Sequence, residues 1–144
     1  MRAEEMKEKE IVNKYLGVPF QHQGRSLQGI DCYGLIIAVY KELGYEIWDI
    51  NEDYDRNWSF KGRNHFVENY HKEWIKVDEP ALFDVVLFSN KRGVANHGGV
   101  ILSGGRFMHA CRAGVVVSRL GDINWWKRIE GFYRLKERQK RDNS

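Results

Sequence analysis

Cys32, His97 and His109 are the residues whose types and spacing allow nucleophilic chemistry in this chain of 144 residues. A cysteine attacks as its thiolate, so a reactive thiol needs its pKa lowered. The first turn of a helix supplies unpaired N–H groups and a positive partial charge, and both favour the anion. Cys32 lies in "GIDCYGLI", residues 29 to 36, directly after Asp31 and at the start of an apolar-periodic run. That places it at a predicted helix N-terminus, where a lowered pKa is expected. Acyl-transfer chemistry also needs a base, usually histidine, and a third group that orients the imidazole. His97 opens "HGGVILS" and His109 lies in "RFMHACR". A lone cysteine in an apolar helix is usually a core residue. The cysteine together with two histidines on one hairpin is more specific.

The two histidine segments are joined by "SGGR", a hairpin signal. A two-residue Gly104-Gly105 loop would pair positions summing to 209 and put His97 and His109 on opposite faces. A three-residue loop, Ser103 to Gly105, pairs positions summing to 208. His109 then faces Gly99 and lies diagonal to His97 on the same face, roughly 7–8 Å away across the strands by backbone geometry. An odd-length loop or a glycine bulge is therefore expected.

These segments need elements to position them. Residues 4 to 16 read as an amphipathic helix with Met6, Val12, Tyr15 and Leu16 as core contacts and Gly17 as its stop. A loop punctuated by glycine and proline follows. Residues 31 to 43 read as a second helix, with Leu35, Ile36, Val39, Tyr40 and Leu43 on one face and Gly44 at its end. Residues 50 to 76 are aromatic and charged, with helix expected around 63 to 73 and a covering insertion over 48 to 76. From residue 82 the runs "FDVVLFS", "HGGVILS", "RFMHACR", "GVVVSRL" and "GFYRL" read as short strands. Helices followed by strands give an α+β domain with a mostly antiparallel sheet. One domain is expected over residues 1–136, with a polar tail over 137–144.

Composition narrows the function. A hydrophobic content of 42% supports a packed core, and a net charge of +3 is too small to indicate nucleic acid. The two cysteines, Cys32 and Cys111, have neither zinc-ligand spacing nor a disulfide framework. Cys111 lies two residues past His109, on the same strand face, where an inert packed thiol is the simpler reading. His65 and His71 are six apart on the expected helix, about 240° around its axis, and do not share one ion with Glu68. No metal and no cofactor are expected. No run approaches a membrane span of about 20 apolar residues, and "MRAEEMKEKEIV" lacks the apolar centre of a signal peptide. Synthesis in the cytoplasm without a signal peptide is the expectation.

With these residues in view, the chain resembles the NlpC-type cysteine peptidases, papain-like enzymes that cut bacterial cell-wall peptides. Asp31, Cys32, Gly34 and Leu35 match the family's Asp-Cys-Ser-Gly-Leu at a helix start, and "HGGVILSGGRFMHA" resembles its histidine strand, glycine-rich turn and following strand. "EPALFDVVLF" resembles the segment before the first sheet strand, with Asp84 and Val85 in matching places. The resemblance covers about residues 11 to 119. The "PFQHQGRS" and "GIDC" stretches look most like members encoded with bacteriophage tails, which implies other tail-tip proteins as partners and carriage in a virion tail.

The resemblance implies a papain-like fold in which Cys32 attacks an amide of the peptidoglycan stem peptide, the bond between γ-D-glutamate and a diamino acid. It implies His97 as base, His109 as its orienting partner, and the Cys32 backbone N–H as one oxyanion donor. Phe20, His22, Asp31 and Tyr33 are the implied substrate-side residues, with helix capping the weightier role for Asp31. The chain departs from the family at Phe20, where tyrosine is usual, at Gln23, where glycine is usual, and at Tyr33, where serine is usual. Tyr33 is expected to narrow the cleft. Arg25, Arg92, Arg106 and Arg112 are candidate carboxylate forks, and the tryptophans are read mainly as core or rim residues. The competing functions are a papain-like amidase or acyltransferase, and a structural tail-assembly part with a degenerate site.

Overall fold

The computed structural model describes residues 3–47, 73–93 and 95–138. The expected helix around 63–73 and most of the expected insertion over 48–76 lie outside them, as does the 139–144 end of the tail. The elements run α1 (Ala3–Tyr15), β1 (Arg25–Ser26), β2 (Gly29–Ile30), α2 (Cys32–Glu42), β3 (Trp74–Val77), β4 (Val85–Ser89), β5 (Ala95–Ile101), β6 (Arg106–Cys111), β7 (Gly114–Arg119), a 3-10 turn (Trp126–Arg128) and β8 (Ile129–Leu135). Six strands form one sheet in the order β3-β8-β4-β5-β6-β7, and every neighbouring pair is antiparallel. The fold is α+β, as the sequence implied.

α2 is the central support. Leu35, Ile36, Val39 and Tyr40 are buried, and the helix packs on β5 and β6. Full burial of one such side chain contributes roughly 1.5–3 kcal/mol. Asp31 caps its start, the Oδ1 accepting from the Gly34 N–H at 2.7 Å. Its end is a Schellman motif: Gly44 has φ +92°, its N–H donates to Lys41 O, and the Tyr45 N–H donates to Tyr40 O. The Tyr40 and Tyr45 rings meet edge-on at 6.4 Å, the contact that commonly closes this motif.

α1 buries a narrower stripe than expected. Ile11 and Tyr15 are buried and Val12 packs beside them, but Met6 and Leu16 are about half exposed. The place of an apolar contact is taken by Glu8, 7% exposed, which accepts from Ser103 Oγ at 2.8 Å and from the Ser103 N–H at 3.2 Å. α1 is thereby tied to the tip of the β5–β6 hairpin. Gly17 ends the helix at φ +86°, and Gly17 and Val18 then bond to Val115 on the β7 edge.

β3 corrects the reading of 48–76 as a covering segment at its C-terminal end. Trp74 is 2% exposed, and residues 74–77 pair with β8. Asp84 is fully buried and accepts a bidentate pair from Arg134, Nη2 at 2.8 Å and Nε at 3.0 Å, which fixes β8 to the entry of β4.

The β5–β6 hairpin has the three-residue loop. Val100 pairs with Met108 and Ile101 with Phe107, so paired positions sum to 208. Gly104 and Gly105 carry φ near +70°, which the turn requires and glycine permits. His97 and His109 therefore share the sheet face opposite the helices.

Candidate active site

Cys32 is the first residue of α2 and is partly buried. Backbone N–H groups of Gly98 and Tyr33 approach its sulfur and favour the thiolate. The Gly98 contact seats the thiol against the backbone next to His97. Burial, reinforced by the Asp31 carboxylate, outweighs these donors and pushes the thiol up to about 11. The expectation that the helix start would lower this pKa is thus corrected: desolvation wins, and the resting group is a neutral thiol.

The histidines meet. His97 Nε2 and His109 Nδ1 are 2.7 Å apart, and His109 Nε2 is 2.9 Å from Ser118 Oγ. Burial holds His97 down to about 3, with His109 and Arg128 adding to the effect, and burial holds His109 down to about 4. Both rings are neutral near pH 7, so each carries one N–H. A His97 that takes a proton must have a bare nitrogen, and Nδ1 is the one not engaged with His109. Nε2–H of His97 then donates to His109 Nδ1, and Nε2–H of His109 donates to Ser118 Oγ. This tautomer set satisfies the whole chain of contacts.

Two local features bring the histidines into place. Phe88 pairs with His97 but Ser89 pairs with Ala95, so Asn96 is an extra residue, a β-bulge beside His97. Opposite His109 stands Gly99, where a Cβ would fall 3.2 Å from His109 Cβ and 2.8 Å from Met108 O. Only glycine allows this approach.

Asp31 is 1% exposed, and besides its cap its carboxylate accepts from Arg25 Nη1 at 2.8 Å and the Gln23 N–H at 3.0 Å. It holds the loop to the helix and is not presented to a substrate. The same close approach explains Gly34, where a Cβ would lie 2.3 Å from Gly24 O. Gln23 adopts φ +60°, a glycine conformation, so the departure from the family pattern leaves the backbone turn in place. Tyr33, next to Cys32 in the chain, is 8% exposed and packs with the main core. Phe20 is 41% exposed, and His22 is partly buried in the same loop. Arg25 serves Asp31, and Arg106 serves Ser103 and Glu8 at the hairpin tip. Cys111 donates to Gly114 O at 3.5 Å, and neither cysteine is in a disulfide.

Three further residues belong to this region and carry no site motif in the sequence. Ser118 ends the histidine chain. Trp125 stacks on His97 at 5.5 Å between ring centroids, and Arg128 lies 5.2 Å over the Trp125 ring. Ser118 follows from the hairpin register, since it pairs with Phe107 two residues before His109. Trp125 and Arg128 have no local signal. Among the described residues, no group of three or more His, Cys, Asp or Glu could hold a metal ion, and no helix is long and apolar enough to cross a membrane.

The chain matches the NlpC/P60 family over residues 17–134. Solved structures share the fold. A Staphylococcus aureus protein described as similar to lipoprotein, NLP/P60 family, is 23% identical with a TM-score of 0.64, over 92% of this chain and 41% of that one. The NlpC/p60 domain of the peptidoglycan hydrolase SagA is 20% identical with a TM-score of 0.58, over 90% of this chain and 97% of that one. The peptidoglycan hydrolase RipB from Mycobacterium tuberculosis is 20% identical with a TM-score of 0.55, over 90% of this chain and 64% of that one. The chain thus spans less than half of the Staphylococcus protein and nearly all of the SagA domain.

Proposed function

The chain belongs to the NlpC/P60 family, and from that premise we propose that it is a peptidoglycan hydrolase that cleaves an amide of the stem peptide with Cys32 as nucleophile, His97 as base and His109 as the residue that orients His97. The observation that carries this reading is the continuous contact from His97 Nε2 through His109 to Ser118, and in this reading Nδ1 of His97 is the unprotonated nitrogen that takes the thiol proton.

In this reading the resting site is a thiol and a neutral imidazole, not a preformed ion pair. His97 takes the Cys32 proton as sulfur bonds to the carbonyl carbon, and it returns that proton to the leaving amine. The Cys32 backbone N–H is the proposed oxyanion donor, a contribution of about 3–4 kcal/mol where such a donor has been removed. Water, deprotonated by His97, then hydrolyses the thioester and releases the free thiol. His109 stays neutral and donates to Ser118 throughout. Residues 1–136 form the catalytic domain in this proposal. Phe20 and His22, on the loop leading to Cys32, line the substrate side; the γ-D-glutamyl–diamino acid bond is the target, and the tail-associated role rests on the "PFQHQGRS" and "GIDC" stretches.

Purified muropeptides incubated with wild type and with Cys32→Ala, followed by mass spectrometry, test it. A fragment with a new amine inside the stem peptide, made only by wild type, is the expected result, and its mass names the bond. An amidase would instead release the whole stem from the sugar. Absence of product, with Cys32 inert to alkylation across the pH range, would favour the degenerate assembly role.

A further inference from the structure

β7 ends on one edge of the sheet, whereas β8 lies between β3 and β4. The connection over residues 120–128 must therefore cross β6, β5 and β4. The helices occupy one face, so the crossing runs over the other, where both histidines lie. The loop is fixed by Asp122, whose carbonyl accepts from the Trp125 and Trp126 N–H groups and whose Oδ1 accepts from the Asn124 N–H at 2.8 Å. It delivers Trp125 onto a second apolar layer of Val86, Phe88, Ile101 and Phe107.

The Trp125 ring meets the whole histidine pair. It stacks on His97 at 5.5 Å and 25°, and it stands edge-on to His109 at 4.8 Å and 80°. Phe88 and Phe107 contact it at 5.0 and 5.6 Å. The Arg128 guanidinium lies over the indole at 5.2 Å, and its Nε donates to Ser89 O at 3.3 Å, so the cation is itself anchored to β4.

We propose that Trp125, held by Arg128, is a positioning residue: it clamps the His97 imidazole against His109 and keeps water off both rings, so that His97 presents Nδ1 to the thiol. The clamp rests on the reading of His97 as base. Stacking fixes the ring plane, and the ring plane fixes where Nδ1 points. Excluding water keeps both rings neutral, which the tautomer chain requires. The charged and titratable groups facing His97 among the described residues are His109 from β6 and Arg128 from the 3-10 turn, with Cys32 seated against the adjacent Gly98 amide from α2.

Imidazole 15N spectra of the full chain from pH 3 to 8 test the clamp without substrate. Wild type, Trp125→Phe, Trp125→Ala and Arg128→Met are compared, with melting curves to establish folding. In Trp125→Ala the His97 titration is expected to move up by at least about one pH unit and the single-tautomer signature to blur, with Trp125→Phe between it and wild type. On muropeptides kcat is expected to fall roughly tenfold, part of the 10²–10⁴ a positioned base supplies, with KM little changed. Arg128→Met keeps the ring and removes the cation, so it covers the case in which Trp125→Ala does not fold; His97 again titrates higher. Unchanged His97 titration and tautomer in folded Trp125→Phe and Arg128→Met would overturn the clamp. A wild-type chain without product in the muropeptide assay would count against the peptidase reading, while the spectra, which need no substrate, still decide the clamp.

Discussion

Gly99 lies across the hairpin from His109 so closely that a Cβ on it would fall 3.2 Å from the His109 Cβ. The glycine is therefore part of what sets the histidine's position. Gly99→Ala forces either His109 or the Met108 carbonyl to shift, an overpacking cost of about 1–3 kcal/mol. The expected outcome is a folded protein with a lower melting temperature and activity down by roughly tenfold or more, because small misplacements of catalytic groups are expensive. Wild-type turnover by Gly99→Ala would show that His109 has slack.

Acid should loosen the fold in a defined window. The unfolded histidines titrate near 6.5, but burial holds His97 down to about 3 and His109 to about 4. Below 6.5 the unfolded chain binds protons that the folded chain refuses, so their contribution is fully present above pH 6.5 and is lost as pH falls through about 4 and 3. Urea midpoints measured between pH 7 and 4 should fall. In His97→Gln the fall should be shallower, and equal slopes in the two proteins would contradict the assignment.

Asp31→Asn separates charge from shape. The amide oxygen keeps the helix cap, while the carboxylate that helps raise the Cys32 thiol is gone. The midpoint of Cys32 alkylation against pH should lie lower in Asp31→Asn than in wild type. Stability should drop by on the order of 1–3 kcal/mol, because the partly exposed Arg25 guanidinium at 2.8 Å loses its charged acceptor. An unmoved alkylation midpoint would mean that burial alone sets the thiol.

Gln23→Gly should stabilise. Gln23 sits at φ +60°, where a side chain is strained and glycine is not. Relief of roughly 1–2 kcal/mol for the left-handed backbone, less about 0.5–1 kcal/mol for the extra freedom glycine brings to the unfolded chain, predicts a small rise in melting temperature at unchanged Cys32 reactivity. A fall would show that the Gln23 side chain contributes contacts worth more than the strain.

The parts of the fold legible in the sequence are those set by local rules. The spacing of Leu35, Val39 and Tyr40 with Gly44 behind them marks α2, and the count of residues in Ser103–Gly105 sets the face shared by His97 and His109. Met6 and Leu16 depart from their expected burial because helical periodicity cannot show that Glu8 is drawn inward by Ser103, 95 residues away. The Cys32 pKa departs from its expected direction because a helix start is visible in sequence, whereas the depth of burial around it is not. Trp125 escapes a sequence reading for the same reason: its place over His97 follows from the order of strands, which puts β7 and β8 on opposite sides of the hairpin.

The tie between Glu8 and Ser103 bears on where this domain begins. Family likeness starts at residue 17, yet α1 ends at Tyr15. A chain trimmed to the region of likeness would lose Ile11 and Tyr15 from the core, and the hairpin carrying both histidines would lose its anchor at the tip. The packed unit thus extends beyond the span of the family match, and expression boundaries drawn from that match alone would cut through its packing.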